Sequence, residues 1–426
     1  MIDIKLVREN PEAIKANIKK KFQDKKLVLV DKLVEMDKEE RHLKKEAEEL
    51  RHKRNSLSSS ISDAKKSGKD ASKLLKEAKE VPGKIAKVEE KQKALQEDII
   101  KILKQIPNII HESVPIGKND KENVEIKKIG TPKKFDFKPR NHVEIAEGLG
   151  LADFDTSGNT SGTGFYYLKG DLALLNMALI NFAREYMTKQ GYTYTETPLM
   201  IRKTVLDGVF TNSEIEAMAY KVEGEDLYLI ATSEHSLIGG YINRWLTEKE
   251  LPTKLTSYSM CFRKEIGSHG IEEKGLFRTH QFNKQEMVVI CKPEDSYKFY
   301  DEMINHSVEI FKELGIPTRI LECCSGDLGD LKAKSADLEA WSPVKEEYYE
   351  VCSVTNMEEA QARRLNMRVK SPKGNYFPHT LNNTVIATSR ALVAILENYQ
   401  NEDGTVDIPK VLQPYMNGKK KLEKLE

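Results

Sequence analysis

Hydrophobic positions in the first quarter of the chain recur at alternating steps of three and four residues. This heptad spacing runs through two consecutive segments and predicts two α-helices, each with one stripe facing the other helix. The first stripe consists of Leu33, Met36, Glu40, Leu43, Ala47, Leu50, Arg54, Leu57 and Ile61. The second consists of Ala71, Leu74, Ala78, Val81, Ile85, Val88, Gln92, Leu95, Ile99, Ile102 and Ile106. Residues 1–112 are therefore predicted to be almost entirely helical.

The break between the two stripes is the short segment "DAKKSGKDA", in which Gly68 suits a turn. Two heptad helices joined by so short a loop must run antiparallel, as a hairpin. Helices of roughly 30 residues would make a coiled-coil arm about 45 Å long. We expect a kink where Pro82 removes one backbone hydrogen bond from the second helix.

The expected tip of this arm is rich in basic side chains. They are Arg51, Lys53, Arg54, Lys65, Lys66, Lys69 and Lys73. Basic groups on a thin rod suit a salt-dependent contact with a phosphate backbone. A coiled coil that serves dimerisation explains the heptads equally well. The pattern alone leaves both interpretations open.

From about residue 113 the periodicity changes. Helical stretches are predicted at 171–190, 233–247, 294–314 and 387–399, separated by β-rich runs such as "LYLIAT", "QEMVVI" and "TRILECC". These helices and strands do not alternate strictly as βαβ units, so their order along the chain favours an α+β domain built on an antiparallel sheet. The segment "IPNIIHESVPIG" is interpreted as a linker before that domain. No strand is followed by a P-loop or by a Rossmann glycine pattern.

Composition narrows the class of protein. The 426 residues are 39% hydrophobic and 32% charged. The net charge is only +1, so the overall charge of the protein would not attract nucleic acid. Five cysteines without a CxxC pair predict a reduced, intracellular protein, and adjacent Cys323 and Cys324 are interpreted as buried strand residues. No secretory h-region and no run of about 18 apolar residues is present. We expect a cytoplasmic protein with no membrane segment.

The stretch "FRKEIGSHGIEEKGLFRTHQFNKQEMVV", residues 262–289, is typical of a β-hairpin. Side chains on a strand alternate, so Arg263 and Glu265 should share one face, and Phe282, Lys284 and Glu286 another. Together they would offer a guanidinium for phosphate, carboxylates for amino groups and a ring for base stacking. The alternative is a surface sheet with cross-strand ion pairs of little energetic weight.

Three segments in this order resemble the class II aminoacyl-tRNA synthetases. "GYTYTETPLM" with Pro198 is similar to their motif 1, "FRKE" with "FRTHQF" to motif 2, and "NTVIATSRALVAILENYQ" to motif 3. Within that class, "MIDIKLVRENPE", "ATSEH", "FNKQEMV" and "EVCS" resemble the seryl-tRNA synthetase family. "NNTV" and "EVCS" stand where many bacterial members have "NGSG" and "EISS", which indicates an archaeal-like branch. The resemblance covers nearly the whole chain.

The resemblance implies a tRNA-binding coiled-coil arm at residues 1–112 and a class II catalytic domain at 113–426. It implies that Arg263, Glu265 and Arg390 are catalytic. The implied serine pocket consists of Thr232, Glu234, Arg263, Glu286, Asn382 and Thr384. The implied ATP site consists of Arg263, Lys264, Glu265, Thr279, His280, Gln281, Phe282, Glu350, Val351, Cys352, Ser353 and Arg390. Mg²⁺ is expected at Glu350 and Ser353.

The implied reaction joins L-serine to ATP as seryl-adenylate and then transfers the seryl group to tRNA(Ser). The serine carboxylate is itself the nucleophile, so catalysis needs alignment and charge neutralisation rather than a general base. His235, His269 and His280 are therefore assigned to packing or solvent contact. The resemblance also implies a homodimer, and it leaves open whether tRNA(Sec) is a second substrate. Three alternatives remain open: a class II synthetase for another amino acid, a non-catalytic paralogue that acts as a tRNA-binding or coiled-coil interaction protein, and a coiled-coil scaffold without enzymatic function.

Overall fold

The computed structural model describes residues 1–266 and 274–425. The chain divides into two compact units, Met1–Pro107 and Asn108–Glu426. Each unit has its own pattern of buried residues, and each is described by itself below.

The first unit is helical. Its helices are α1 (Ile4–Glu9), α2 (Pro11–Lys20), α3 (Leu27–Lys66) and α4 (Ser72–Leu103). Helix α3 has 40 residues, about 60 Å at 1.5 Å per residue, and exceeds the expected length because it already begins at Leu27. Gly68 forms the predicted turn in a left-handed conformation, with φ of 66°. Helix α4 continues through Pro82.

Helices α3 and α4 pack along the predicted stripes. The buried members include Leu33, Leu43, Ala47, Leu57, Val81, Ile85, Val88, Ile99 and Ile102. Polar side chains also pair between the two helices. Gln92 of the second stripe and Gln96 beside it both donate to Glu40 Oε1, at 2.8 and 2.7 Å. Further along, Arg51 pairs with Glu89. Partner numbers fall on α4 as they rise on α3, so the predicted antiparallel hairpin is confirmed.

A charged cluster fixes the base of this hairpin. Arg8 Nη2 lies 2.7 Å from Asp37 Oδ1, and Arg41 Nε lies 3.0 Å from Asp37 Oδ2. The hydrogen bond from Arg8 is the main reason why the pKa of Asp37 is lowered. Val7 on α1 and Ile14 on α2 are also fully buried, which heptad spacing did not predict.

The second unit combines nine helices, in the part of the chain that the structure describes, with one large sheet. The helices are α5 (His142–Gly148), α6 (Phe154–Ser161), α7 (Gly170–Lys189), α8 (Lys203–Val209), α9 (Asn212–Met218), α10 (Ser233–Gly239), α11 (Ser296–Glu313), α12 (Ala360–Arg364) and α13 (Thr388–Asn398). The strands are β1 (Val124–Ile129), β2 (Ala152–Asp153), β3 (Tyr167–Leu168), β4 (Thr193–Tyr194), β5 (Met200–Ile201), β6 (Tyr228–Leu229), β7 (Trp245–Thr247), β8 (Thr253–Phe262), β9 (Gln281–Cys291), β10 (Thr318–Glu322), β11 (Lys334–Ser342), β12 (Glu347–Glu358), β13 (Arg368–Lys370), β14 (His379–Ala387), β15 (Val406–Asp407) and β16 (Lys421–Leu422).

Eight strands form the main sheet in the order β1-β10-β11-β12-β14-β9-β8-β4. All neighbours in it are antiparallel except β4 and β8, which are parallel at one edge. Helices α7, α11 and α13 pack on this sheet, and their apolar residues share one core with β9, β11, β12 and β14. The predicted α+β class, with a flanked antiparallel sheet, is confirmed.

Some local predictions differ from the structure. Cys323 and Cys324 are buried as predicted, but they are not strand residues, because β10 ends at Glu322. The predicted linker at 106–117 contains the boundary between the two units and has no helix or strand, but it is not exposed, because Ile110 and Val114 are buried together with Cys323 and Leu328. Periodicity could not indicate this, since the partners are about 200 residues away. The helix predicted at 233–247 ends at Gly239, and 245–247 forms strand β7 instead. A Cβ at Gly239 would lie 2.4 Å from Val205, so this helix end needs glycine for close packing.

Candidate active site

Strand β8 ends at Phe262, so Arg263 and Glu265 follow the strand instead of belonging to it. The prediction that both lie on one strand face is wrong. Glu265 has φ of 53°, a left-handed conformation outside the range of a β-strand. Both side chains nevertheless line one cavity together with Phe282, which pairs with Cys261 in the β8–β9 ladder. A turn of the backbone, instead of strand alternation, brings them together.

We call this space the arginine cavity. Its lining includes Arg263, Glu265, Phe277, Arg278, Thr279, Phe282, Glu350, Val351 and Arg390. The Arg263 guanidinium lies 5.1 Å from the centre of the Phe282 ring. Arg278 Nη1 donates to Glu265 Oε2 over 2.7 Å. Three guanidinium groups face two carboxylates here, so the cavity suits a polyanionic ligand such as a triphosphate.

Arg390 lies near the start of α13 and contacts Glu350 on β12. Its Nη1 donates to the Glu350 carbonyl over 2.7 Å and to Oε2 over 3.1 Å. Partial removal from water raises the pKa of Glu350, but the positive charge of Arg390 overcomes this effect, and the pKa is lowered. Glu350 is therefore held as a carboxylate beside the cavity.

A second space, the glutamate cavity, lies next to the first. Its lining includes Thr232, Glu234, His235, Arg263, Lys284, Glu286, Lys332, Glu350, Ser353, Asn382 and Thr384. Four residues line both cavities: Arg263, Lys284, Glu350 and Thr384. A ligand in one cavity would therefore meet a ligand in the other beside Arg263.

Glu286 lies on β9 and is fully buried. Its Oε2 accepts from Thr232 Oγ1 over 3.1 Å and lies 2.5 Å from Lys284 Nζ. Thr232 is the N-cap of α10, and its hydroxyl also accepts from the Glu234 backbone N–H. This cap fixes Thr232 beside Glu286 and directs the first turn of α10 into the cavity.

Glu234 in that first turn is also buried. Burial, followed by the negative charge of Glu286, raises the pKa of Glu234 to about 7. Gln361 Nε2 donates to Glu234 Oε1 over 2.8 Å, and Thr380 Oγ1 holds that glutamine in place. Two acidic side chains in one buried space favour a ligand with a cationic group.

Within the described residues, three buried polar atoms of this cavity have no hydrogen-bond partner. They are Glu286 Oε1, Asn382 Oδ1 and His235 Nδ1. An unpaired buried polar atom costs about 1–3 kcal/mol, so such atoms indicate a place for ligand donors. His235 otherwise packs on Phe210, with ring centres 4.5 Å apart, and burial lowers its pKa to about 3.

The structure brings most predicted site residues to the two cavities, but not all of them. Lys264, His280, Gln281 and Cys352 lie outside the described lining of both. His280 lies against Phe165, and its backbone N–H donates to the Gly164 carbonyl. Cys352 is buried, with Sγ near the Val385 carbonyl. His269 lies outside the described residues.

Sequence reasoning missed several lining residues. Lys284 alternates with Phe282 and Glu286 on β9, so its position was predicted but its buried ion pair with Glu286 was not. Phe277 and Arg278 also line the arginine cavity. They are the first two residues of "FRTHQF", but only the last four residues of this motif were predicted to belong to the ATP site. Lys332 lies in a loop without a recognisable motif, so no signal in one sequence could identify it.

The expected Mg²⁺ ligands, Glu350 and Ser353, both have oxygen atoms that can coordinate a metal ion. Glu350 supplies a carboxylate and Ser353 a hydroxyl, both at the glutamate cavity. Asp337 lies opposite Ser353 in the β11–β12 ladder, and burial together with the charge of Glu350 raises its pKa to about 7. The described residues contain no group of three acidic, histidine or cysteine side chains in metal geometry. The set fits a magnesium ion that takes its other ligands from phosphate and water.

Comparison with known proteins first gives the class. Residues 219–399 match the family model of the tRNA synthetase class II core domain (G, H, P, S and T), which spans strands β8, β9, β12 and β14. Residues 1–110 match the seryl-tRNA synthetase N-terminal domain. The chain thus contains the core domain of a class II aminoacyl-tRNA synthetase.

Curated relatives identify the family within that class. A serine–tRNA ligase of Methanocorpusculum labreanum is 46% identical over 421 residues, which cover 98% of this chain and 99% of the relative. The crystal structure of seryl-tRNA synthetase from Pyrococcus horikoshii complexed with ATP superposes with a TM-score of 0.95 at 41% identity, with 100% of both chains covered. The crystal structure of a cytoplasmic serine–tRNA ligase from Naegleria fowleri in complex with AMP superposes with a TM-score of 0.89 at 35% identity. The match covers 100% of this chain and 99% of that one. The chain belongs to the seryl-tRNA synthetase family.

These relatives confirm the predicted family, and those from Methanocorpusculum and Pyrococcus are archaeal, in agreement with the predicted branch. A scaffold without a catalytic domain is not favoured, since the class II core is present. Among the described residues, no helix is long and apolar enough to span a membrane.

Proposed function

We propose that this chain attaches L-serine to tRNA(Ser) in an ATP-dependent reaction through a seryl-adenylate intermediate. The observation that carries the proposal is the junction of two cavities at Arg263, one rich in guanidinium groups and the other in buried carboxylates. A triphosphate and an amino acid that occupied them would meet there, which is the geometry needed to join a carboxylate to the α-phosphorus.

In the proposed serine complex, the ammonium group pairs with Glu234 and with the Thr232 hydroxyl. The serine hydroxyl donates to Glu286, whose Oε1 is the atom without a partner. Asn382 and Thr384 border the same space. Alanine, which lacks the hydroxyl, would leave Oε1 unpaired, so the pocket selects against it by a few kcal/mol, on the order of 2–3.

In the proposed ATP complex, Arg263 holds the serine carboxylate and the α-phosphate together. Phe282 stacks on the adenine ring, Glu265 accepts from the adenine amino group, and Arg390 contacts the γ-phosphate. The backbone at Thr279, His280 and Gln281 lies beside the adenine. Charge neutralisation by these groups, instead of proton transfer, lowers the barrier.

Glu350 and Ser353 are proposed to hold Mg²⁺, which would neutralise phosphate charge when bound. The lowered pKa of Glu350 keeps its carboxylate available for this role. Val351 and Cys352 connect these two residues within β12 and are assigned a supporting role only.

The coiled-coil arm, residues 1–112 by prediction, is proposed to bind the tRNA. Arg51 and Lys53 pair with Glu89 and Glu77, so their charges are already balanced. We therefore assign the phosphate contacts to the remaining basic residues near the tip: Arg54, Lys65, Lys66, Lys69 and Lys73. Binding of tRNA(Sec) by the same surface, followed by its charging, is a further hypothesis. The domain 113–426 would then carry both chemical steps.

The chain is proposed to act as a homodimer in the cytoplasm. Large apolar side chains remain exposed on α7, at Leu174 and Met177, and at Leu199 and Met200 in the motif 1 segment. An exposed apolar group of this kind commonly marks a protein interface. Light scattering of the purified chain would give the oligomeric state, and a monomer would contradict this part of the proposal.

The central test is ATP–pyrophosphate exchange with a panel of serine, threonine, alanine, glycine and proline. We expect exchange with serine to exceed that with each other amino acid by at least about 100-fold. Serine-specific charging of a tRNA(Ser) transcript then tests the second step. Preference for another amino acid would replace the proposal by a class II synthetase of different specificity, and no exchange with any would favour a non-catalytic paralogue.

A further inference from the structure

A polar cluster outside the assigned residues lines a third cavity, which shares Phe277 and Arg278 with the arginine cavity. It consists of His142 at the start of α5, Ser342 at the end of β11, Glu397 on α13 and the backbone N–H of Leu276. We call it the histidine clamp. We propose that the clamp positions segment 274–278 for ATP binding. The inference rests on the proposed function, since it concerns the same ATP site.

The hydrogen bonds of the clamp define the tautomer of His142. The Leu276 backbone N–H donates to His142 Nε2 over 3.2 Å, so that nitrogen is an acceptor. His142 Nδ1 therefore carries the proton and donates to Glu397 Oε1 over 3.3 Å. The other carboxylate oxygen, Oε2, accepts from Ser342 Oγ over 2.7 Å. Each ring nitrogen thus has one task, and the imidazole orientation is fixed from both sides.

Glycine at position 275 allows this contact. A Cβ there would lie 2.5 Å from His142 Nε2 and 3.1 Å from Val143 Cγ2. Gly275 also has φ of 143°, a region that side chains with a Cβ rarely adopt. The backbone of segment 274–278 therefore lies directly against the imidazole ring, where any larger residue would push it away.

The clamp acts on the site through the two residues that follow Leu276. Phe277 lies 5.2 Å from the Arg390 guanidinium, and Arg278 pairs with Glu265. Both precede Gln281, the first residue of β9, so no strand ladder fixes them. Glu397 lies on α13, the same helix as Arg390, two turns further along. The clamp thus ties segment 274–278 to the helix that carries the proposed γ-phosphate ligand.

Leu276 itself is fully buried, as is most of Glu397. A buried carboxylate is stable only with hydrogen-bond donors, and a buried backbone N–H needs an acceptor. Loss of the Nε2 acceptor would therefore displace the Leu276 backbone toward another partner. A shift of about 1 Å in Phe277 and Arg278 is enough to impair ATP alignment.

Two substitutions of His142 separate its two hydrogen bonds. In H142Q, the amide end lies near the original Nε2 and can still accept from Leu276. In H142N, the shorter amide lies near Nδ1 and can donate to Glu397, but it cannot reach Leu276. We expect H142N to raise the KM for ATP about tenfold in serine-dependent pyrophosphate exchange, with the KM for serine unchanged. H142Q is expected to stay within about threefold of the parent, because the backbone N–H of residue 142 also donates to Glu397 Oε1, over 3.3 Å, and keeps the link to α13.

Hydrogen exchange supplies a readout that does not depend on activity. The Leu276 amide should lose protection in H142N and keep it in H142Q. The matched control is H306A, because His306 also contacts a glutamate, Glu302 at 3.5 Å, but lies on α11 away from both cavities. It is expected to leave the KM for ATP and the Leu276 amide unchanged.

If H142N and H142Q changed the KM for ATP equally, or if the KM for serine rose in parallel, the proposed positioning role of the clamp would be rejected. His142 would then have only a general structural role. Unchanged Leu276 protection in H142N would overturn it as well. Lack of serine exchange in the parent protein would instead reject the proposed function, and the hydrogen-exchange comparison would still test the contact.

Discussion

The coiled-coil arm and the pair of cavities use charged residues in opposite ways. On the arm, Lys53 Nζ lies 2.5 Å from Glu77 Oε1, yet both side chains are about half exposed. At the site, Lys284 and Glu286 lie at the same distance but are almost completely buried. Water screens the first pair and leaves it nearly neutral in energy, whereas removal of one partner from the second leaves an uncompensated buried charge. Geometry alone therefore does not give the importance of an ion pair.

The largest effect is expected from Glu286→Ala. It removes the proposed acceptor of the serine hydroxyl and leaves Lys284 without its buried partner, so serine-dependent exchange should fall by about 10³-fold. Glu286→Gln keeps the shape and tests whether the charge itself matters. Circular dichroism checks folding, and exchange within tenfold of the parent in a folded E286A protein would reject this role.

The next effect separates the two units. Replacement of residues 48–87 by a short Gly–Ser turn shortens the arm and leaves its base intact, because Ala47 and Val88 pack together across the seam. We expect pyrophosphate exchange to stay within about twofold, while charging of tRNA falls about 100-fold through loss of phosphate contacts. The control replaces only the tip lysines 65, 66, 69 and 73 by glutamine. A parallel loss of both activities would show that the arm also supports the first step.

A smaller effect concerns pH. The pKa of Glu234 is raised to about 7, so its carboxylate is protonated at lower pH and cannot pair with an ammonium group. The KM for serine should therefore rise as pH falls through 7, by about tenfold between pH 8 and pH 6. Glu286, Lys284 and Lys332 are the charged groups around it. E234Q should have a high KM without this pH dependence, whereas a flat profile in the parent would contradict the assignment.

The smallest effect returns to the arm itself. Leu57 is buried in the seam, and L57A should speed hydrogen exchange of the surrounding α3 amides because packing is lost there, at a cost of about 2 kcal/mol. K53A removes only the exposed ion pair, so neither the hydrogen exchange of the α3 amides nor the melting temperature should change measurably. A larger effect of K53A than of L57A would contradict the conclusion that the exposed ion pair contributes little to stability.

Local periodicity was a reliable guide to the arm and a weaker one to the site. Leu43, Ala47 and Val88 could be identified as partners because heptad contacts depend on spacing within each helix. The turn at Glu265 could not, since φ of 53° follows from contacts beyond the strand and not from its alternation. The packed segment around Val114 was missed for a similar reason, as its partners are Cys323 and Leu328.

Motif resemblance extended the prediction of the site further than periodicity. Arg263, Glu286 and Arg390 were selected by resemblance, and the structure brings all three to the joined cavities. Their individual roles remain predictions for the experiments above. Lys332 and Gln361 had no motif, although one lines the glutamate cavity and the other donates to Glu234.

The sequence by itself determined the helical arm, the α+β class and the family, because these depend on spacing and on residue types in order along the chain. Only the tertiary structure decided which charges are buried, which polar atoms have no partner and how segment 274–278 meets His142. The physical reason is that burial and pairing arise between residues far apart in sequence. Leu276 and His142 are separated by 134 positions, and no local pattern contains their contact.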